Sequence, residues 1–236
     1  MLACPTSSHK AYCQDAWVEN VKAFTYPKLD ILIVDNSADL RNVERLKCLF
    51  KNCKHNVIIE YRTPLKTVRD TIAECCNYIK DIVNTGGYDY WFSLESDLFP
   101  PVNIIEHLLA YNKPVVLAPY FTEYKTVCLL SHEVHNCDGY PFLEQKLPLK
   151  VFVEDVKGQL KPVLQGGLGC VLVRNYVLKQ VTFRIDRTEW ECGFHDYFFH
   201  ADLMRLQITV WCDYSIFIEH INSSKRWAYV ESKQKL

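Results

Sequence analysis

The sequence lacks a surplus of positive charge. Its 236 residues include 27 Lys and Arg against 28 Asp and Glu, so the formal net charge is -1 at pH 7. Proteins that bind nucleic acid regardless of its sequence depend on a positive field. The balance argues against that class and leaves base-specific binding open. Glycine (8) and proline (10) are also scarce, which excludes collagen-like and low-complexity proteins.

Long apolar runs are missing as well. The longest run, residues 115–121, has the length of a strand and contains Pro119, whereas a membrane helix needs roughly 18 apolar residues. Residues 1–15 lack the basic and apolar regions of a secretory signal. We therefore expect no transmembrane segment and a cytoplasmic location, with peripheral association with a membrane left open.

Cysteine is abundant, yet its pattern does not indicate a disulfide framework. The 11 cysteines are odd in number and form no Cys-x-x-Cys pair. We interpret them mainly as reduced core residues of a cytosolic protein, the alternative being disulfides. The cysteines in apolar surroundings are Cys48, Cys75, Cys128, Cys170 and Cys212.

Hydrophobic patterning predicts an α/β protein with a mostly parallel sheet and flanking helices. Residues 29–34 form an apolar, β-branched run that is typical of a strand buried on both faces. In the first helix, Ala16, Trp17, Val21 and Phe24 form an apolar stripe. Predicted strands cover residues 2–4, 29–34, 57–61, 90–94 and 115–118, and helices cover 12–24, 40–50, 67–83 and 100–109.

The alternation breaks in the second half of the chain. Residues 120–165 are predicted to be irregular, with short strands at 127–130 and 150–153. A strand at 170–173, a helix at 195–206 and strands at 208–211 and 215–218 follow. No repeat or flexible linker divides the sequence, which favours one domain.

Polar side chains follow three of the predicted strands. These are Thr6, Asp35, and the pair Glu95 and Asp97. Because ligands bind at the carboxyl ends of parallel strands, we expect them at one crevice. Each residue alone is also a common turn former or helix cap. The two carboxylates could hold a hard cation, Mg²⁺ or Mn²⁺, or simply form a charged turn.

Five short segments occur in a recognisable order: Pro5-Thr6, residues 33–37, residues 92–97, His195-Asp196 and His220. Together they resemble the inverting family-two glycosyltransferases of GT-A fold, over roughly residues 2–220. The resemblance implies one Rossmann-like GT-A domain over residues 1–236. Its nucleotide-sugar-binding half would span about 1–118 and its acceptor-binding half about 119–236.

The resemblance also implies roles for individual residues. Asp196 would be the catalytic base, and Asp97, His220 and Glu95 would hold Mn²⁺ or Mg²⁺. Glu95 stands where the family has Asp, which makes Asp97 the more secure ligand, and His195 replaces the usual Glu. The residues expected to contact the nucleotide sugar are Pro5, Thr6, Asp35, Arg69, Glu95, Ser96, Asp97 and Gly167.

Two of these positions have plain alternatives. Arg69 would approach the diphosphate, with Arg62 as a second candidate, or would be a solvated side chain. The segment from Gly166 to Gly169 is not a dinucleotide fingerprint, since no strand is predicted before it and no helix after it. It would supply backbone flexibility beside a sugar pocket or be an ordinary turn.

The sequence thus predicts a metal-dependent transferase that moves a sugar from a nucleotide-sugar donor, a UDP-sugar by resemblance, with inversion. The acceptor is undetermined and could be a glycan, a lipid-linked molecule, a protein or a nucleic acid. One alternative is a sugar nucleotidyltransferase, although residues 4–8 lack the Gly-rich, Arg-containing loop of that class. The other is a non-catalytic module that binds nucleotide sugars or glycans.

Overall fold

The computed structural model describes residues 1–124, 126–129, 131–133, 156–189, 193–223 and 225–227. Within them, helices flank a nine-stranded sheet, and the remaining strands form a three-stranded and a two-stranded sheet. The strands are β1 (Leu2–Thr6), β2 (Asp30–Asp35), β3 (Asn56–Tyr61), β4 (Tyr90–Leu94), β5 (Leu98–Phe99), β6 (Val115–Leu117), β7 (Phe121–Tyr124), β8 (Thr126–Leu129), β9 (Ser131–Glu133), β10 (Leu160–Gly166), β11 (Cys170–Arg174), β12 (Val210–Asp213), β13 (Glu219–Asn222) and β14 (Lys225–Trp227). The helices are α1 (Ala11–Lys22), α2 (Arg41–Leu49), α3 (Val68–Thr85), α4 (Ile104–Ala110), α5 (Asn175–Leu178) and α6 (His195–Arg205), and a 3₁₀ turn (Ser8–Lys10) precedes α1.

The large sheet has the strand order β3-β2-β1-β4-β11-β6-β12-β10-β9. Strands β1 to β4 run parallel, β11 lies antiparallel between β4 and β6, and β12 is parallel to β6. The mostly parallel sheet predicted from the sequence is therefore confirmed. Its topology places the carboxyl ends of β2, β1 and β4 side by side at one edge.

Alternating strand residues build a core on each face of the sheet. On one face, Ile33 of β2 packs in a cluster with Trp17 of α1, which also includes residues of α2 and α4. On the other face, Leu32 packs in a cluster with Ile79 of α3, together with residues of α5 and α6. The apolar run over residues 29–34 is thus a strand covered by helices on both sides, as its composition predicts.

The prediction of irregular structure up to residue 165 is wrong for β10. This strand pairs with β12 and β9 and runs directly into Gly166, so a strand does precede the glycine segment. The strand is difficult to predict from the sequence because it contains Pro162, and proline is usually confined to edge strands or to the first residue of a strand. Here Pro162 pairs with Trp211 of β12, and the pairing with β9 that the described residues show starts at Val163. The strand predicted at 150–153 lies outside the described residues.

Three other expectations need correction. Residues 215–218 form no strand apart from a bridge between Ile218 and Tyr120, and β13 begins only at Glu219. Ala16 is exposed, because the buried face of α1 is formed by its neighbours Cys13, Gln14, Trp17, Val18 and Val21. Cys48 is exposed too, since it lies on the side of α2 opposite Leu46.

Most of the other cysteines whose side chains the structure describes are buried. Buried are Cys4, Cys13, Cys75, Cys76, Cys170 and Cys212, while Cys53 is partly exposed. Their burial agrees with the interpretation of cysteine as a small core residue. Among the described helices, none has both the length and the apolar character needed to cross a membrane.

Trp91 links the central strands and gives a test of the core. Its indole Nε1 donates a 2.8 Å hydrogen bond to the Ala3 carbonyl of β1, and its fully buried ring packs edge-on against Phe183. We expect Trp91→Ala to lower the free energy of unfolding by about 3–5 kcal/mol, the usual cost of deleting a large buried aromatic ring. Urea denaturation followed by circular dichroism measures it.

The matched control is Tyr176→Ala, because the Tyr176 side chain is largely exposed. This variant should change the free energy of unfolding by no more than about 0.5 kcal/mol. A loss below about 1 kcal/mol in Trp91→Ala would contradict the packing described for the β1 and β4 strands.

Candidate functional site

The carboxyl ends of β1, β2 and β4 bring together three of the segments singled out in the sequence. Thr6 is paired in register with Asp35 across β1 and β2. The Thr6 hydroxyl lies 2.8 Å from the Ser96 hydroxyl, and both side chains are buried. Residues 6, 35 and 96 therefore meet at one edge of the sheet, as the pattern of polar strand ends predicts.

Asp35 is completely buried, and local donors satisfy its carboxylate. Oδ1 accepts the Ser37 N–H at 3.1 Å, while Oδ2 accepts the Ser37 hydroxyl at 3.0 Å and the Asn42 amide at 2.5 Å. A buried carboxylate needs such partners. Asp35 consequently holds the turn after β2 against α2, and most of its acceptor capacity is already used.

Asp97 is the most enclosed carboxylate of the acidic segment, with a side chain that is 1% exposed. Its Oδ2 contacts the Lys10 ammonium and lies 3.3 Å from His220 Nε2, whereas Oδ1 has no hydrogen-bond partner among the described residues. Burial alone would raise the pKa of Asp97, but the His220 hydrogen bond and the Lys10 ammonium together hold it below its ordinary value.

His220 reaches this carboxylate because β13 is anchored beside it. The Ile221 N–H donates to the Asp97 carbonyl at 2.9 Å, and His220 Nδ1 donates to the Phe121 carbonyl at 2.8 Å. Burial lowers the pKa of His220, but the Asp97 carboxylate and the Phe121 carbonyl raise it above its usual value overall. With oxygen acceptors facing both ring nitrogens, the imidazole is favoured in its charged form.

Glu95 has a different environment from Asp97. Burial, followed by the charge of Asp97, raises the pKa of Glu95 to about 7, and Asp196 contributes in the same direction. The pKa of the buried Tyr120 hydroxyl is raised well above normal by burial and then by the charges of Glu95, Asp196 and Asp97. The charge of Asp196, at the start of α6, thus adds to the negative potential at the acidic segment.

Asp196 occupies the first turn of α6 and is partly exposed. Its Oδ1 accepts the Tyr197 N–H at 2.8 Å. The preceding His195 is buried, and its Nδ1 has no partner among the described residues. Burial lowers the pKa of His195, so this imidazole is favoured in its neutral form.

Arg69 connects α3 with the segment that leads into α6. Its Nη1 donates to the Gly193 carbonyl at 3.2 Å, and its guanidinium carbon lies 5.7 Å from the centre of the Phe194 ring. Arg69 is thus a tether next to Asp196 and not a plain solvated side chain. The second candidate, Arg62, lies 4.0 Å over the Tyr78 ring and donates its backbone N–H to the Asp35 carbonyl.

The glycine segment lies between β10 and β11 behind the acidic residues. Gly167, the glycine singled out from the sequence, is buried, and the Gly166 carbonyl lies 2.8 Å from His200 Nε2. Gly169 is more tightly constrained, since a Cβ there would come within 2.6 Å of both the Tyr120 hydroxyl and a Leu98 methyl. Its carbonyl accepts the Glu95 N–H at 2.7 Å, so only glycine fits beneath the acidic segment.

The arrangement of these side chains does not fit a divalent cation. Among the described residues, no group of three His, Cys, Asp or Glu side chains is placed to hold a metal ion. Asp97 offers the unpartnered Oδ1, but Lys10 contacts its Oδ2, and Mg²⁺ requires near-octahedral oxygen coordination. The Mn²⁺ or Mg²⁺ site at Asp97, His220 and Glu95 stays a prediction without support from this geometry.

Sequence reasoning missed Lys10 and a polar chain behind Thr6. The fully buried Gln14 side chain donates to the Thr6 hydroxyl at 3.3 Å, and Arg45 donates to the side-chain amide oxygen of Gln14 at 2.6 Å. Of the residues in this polar chain, only Gln14 is unusual in the sequence, because it is an amide on the apolar face of α1. Nothing local connects residue 10 with residue 97.

Comparisons with known proteins support the fold. A structure of S. aureus TarS residues 1–349 in complex with UDP-GlcNAc matches 97% of this chain and 61% of that chain, at 13% identity and a TM-score of 0.58. The same fragment in complex with UDP matches 92% of this chain and 58% of that chain, at 13% identity and a TM-score of 0.52. A longer TarS structure matches 92% of this chain, at 14% identity and a TM-score of 0.54.

This chain spans 35% of the longer TarS structure. No family model matches the sequence, and no curated protein matches it significantly. The structural similarity and the mostly parallel, helix-flanked sheet together confirm the predicted GT-A-like α/β fold.

The hydrogen bonds of Asp35 give a test of its structural role. In Asp35→Asn, an amide N–H₂ replaces an acceptor oxygen and faces the donors of Ser37 or Asn42. We expect the free energy of unfolding to fall by about 1–3 kcal/mol, the cost of unsatisfied buried groups. Chemical denaturation measures the change.

Asp39→Asn is the control, because that carboxylate is exposed and pairs only with exposed Arg41 among the described contacts. Its effect should stay within about 0.5 kcal/mol. If Asp35→Asn is as stable as the unmodified protein, the carboxylate does not hold the turn after β2.

Proposed function

We propose that the protein transfers a sugar from a nucleotide-sugar donor, a UDP-sugar in the first instance, to an acceptor hydroxyl. The observation that supports this most is the convergence of Thr6, Ser96 and Asp97 at the carboxyl edge of parallel strands. This is the edge at which open α/β sheets bind their ligands. The similarity in fold to TarS, solved with UDP-GlcNAc and with UDP, supports the choice of donor.

Asp196 is the general base of this proposal. Its carboxylate takes the proton from the acceptor hydroxyl while the oxygen forms a bond to the anomeric carbon of the sugar. The bond between that carbon and the diphosphate breaks at the same time, and its electron pair leaves with the nucleoside diphosphate. One displacement inverts the configuration at the anomeric carbon. The partial exposure of Asp196 at the helix start suits contact with an incoming hydroxyl.

The nucleoside would bind along the ends of β1 and β2. Pro5 and Thr6 form the end of β1, where the Thr6 hydroxyl is positioned by Ser96 and Gln14. Asp35 acts here through the turn that it holds, because its carboxylate already accepts hydrogen bonds from Ser37 and Asn42. The tether from Arg69 to Gly193 would keep Asp196 next to the donor.

A first measurement tests donor binding. At a UDP concentration 100 times the dissociation constant, binding to the folded state stabilises it by about 2.7 kcal/mol. For a chain of this size we expect Tm to rise by roughly 5–10 °C. Differential scanning calorimetry with UDP or UDP-GlcNAc, with and without Mn²⁺, measures the shift, and adenosine diphosphate serves as a nucleotide control. No shift with any uridine nucleotide would contradict a UDP-sugar donor.

A second measurement tests the base. We expect Asp196→Asn to bind UDP within about threefold of the unmodified protein but to release UDP from UDP-sugars about 100-fold more slowly or worse, as is usual when a positioned base is lost. The control is Asp202→Asn on the same helix, whose carboxylate pairs with Arg184 and Arg205. This control should keep most of the release rate.

The outcomes also separate the alternative functions. A protein that binds UDP-sugars but releases no UDP with any of them is a binding module and not a transferase. Release of pyrophosphate from a nucleoside triphosphate and a sugar phosphate would identify a nucleotidyltransferase. An Asp196→Asn variant that turns over at the unmodified rate would place the base elsewhere.

A further inference from the structure

Lys10 lies beside the candidate site, at the end of the 3₁₀ turn between β1 and α1. Its side chain is 35% exposed, whereas that of its partner Asp97 is 1% exposed. The ammonium thus connects a buried carboxylate with the open side of the site. An ammonium carries three N–H donors, so Lys10 can contact Asp97 and present further donors to a ligand.

The charges around this contact favour the protonated form of Lys10. Burial alone would lower the pKa of Lys10, but the Asp97 carboxylate, with a contribution from Glu95, raises it above its ordinary value. Asp97 also faces His220 on its other side. A divalent ion bound at Asp97 Oδ2 would have to displace Lys10 or lie beside a like charge.

We infer that the Lys10 ammonium occupies the place beside Asp97 that a divalent cation would take, and that it binds the diphosphate of the donor. A lysine ammonium is an established phosphate-binding group, acting as a point charge. Lys10 would offset the negative charge that develops on the departing nucleoside diphosphate. The diphosphate part of the inference rests on the proposed function, whereas the exclusion of a cation by Lys10 does not.

The first experiment uses Mn²⁺ alone and needs no donor. Isothermal titration calorimetry or electron paramagnetic resonance measures Mn²⁺ binding to the unmodified protein and to Lys10→Met, which keeps the chain length and removes the charge. We expect no saturable binding below about 1 mM for the unmodified protein and at least about tenfold tighter binding for Lys10→Met, because the Asp97 and Glu95 carboxylates are then open to an ion.

Two further variants make this result interpretable. Lys10→Arg keeps the positive charge and should bind Mn²⁺ as poorly as the unmodified protein. It also covers the case in which Lys10→Met fails to fold, since its longer side chain still pairs with Asp97. Lys47→Met is the surface control, as Lys47 is largely exposed and pairs only with Glu44 among the described contacts. Tight Mn²⁺ binding by the unmodified protein that Lys10→Met does not improve would overturn the exclusion of a cation by Lys10.

The second experiment measures UDP affinity in EDTA and in Mn²⁺. We expect the unmodified protein to bind UDP equally in both, within about twofold, and Lys10→Met to lose about tenfold or more in EDTA, as for the loss of one charged contact. Lys10→Arg should retain most of the affinity.

UDP binding that requires Mn²⁺ and is unchanged in Lys10→Met would overturn the inference and leave the proposed function intact. No UDP binding by the unmodified protein in either buffer would overturn the proposed function, and with it the diphosphate role of Lys10.

Discussion

The buried carboxylate of Asp97 constrains three distant parts of the chain at once. A charge removed from water must be compensated by opposite charge or by hydrogen bonds. At Asp97 the compensation comes from Lys10 in the turn after β1 and from His220 in β13. The small sheet of β5, β13 and β14 is positioned by the same segment, because β5 follows Asp97 directly and pairs with β13. The candidate site is therefore also a point at which the two ends of the described chain are joined.

The two carboxylates of the acidic segment differ because their partners differ. The His220 hydrogen bond and the Lys10 ammonium hold the pKa of Asp97 below its ordinary value, while burial and the charge of Asp97 raise the pKa of Glu95 to about 7. The two side chains are one residue apart, yet only one is a permanent anion at neutral pH. A motif of two acidic residues is thus not equivalent to a site with two full negative charges, and its preference for a metal ion cannot be taken from the motif alone.

The sequence predicted the features that depend on local pattern. The strand over residues 30–35 was visible because every side chain from Ile31 to Asp35 is buried, and the polar residues at strand ends meet where topology requires. Lys10 was not visible, because its partner lies 87 positions away along the chain. β10 was missed for another reason, since the meaning of Pro162 depends on how far β9 extends alongside it. A short stretch of sequence does not show which segments far apart along the chain come into contact, nor how far a neighbouring strand extends.

Gly169 has a consequence for how this site can change. It packs directly against the side chains of Tyr120 and Leu98, and its carbonyl accepts the Glu95 N–H, so there is no room for a side chain at position 169. A larger residue at this position would require Tyr120 and Leu98 to move away from the acidic segment. Sequence variation around this site, whether by natural drift or by directed evolution, is therefore expected at positions other than 169, such as the turn that carries Lys10.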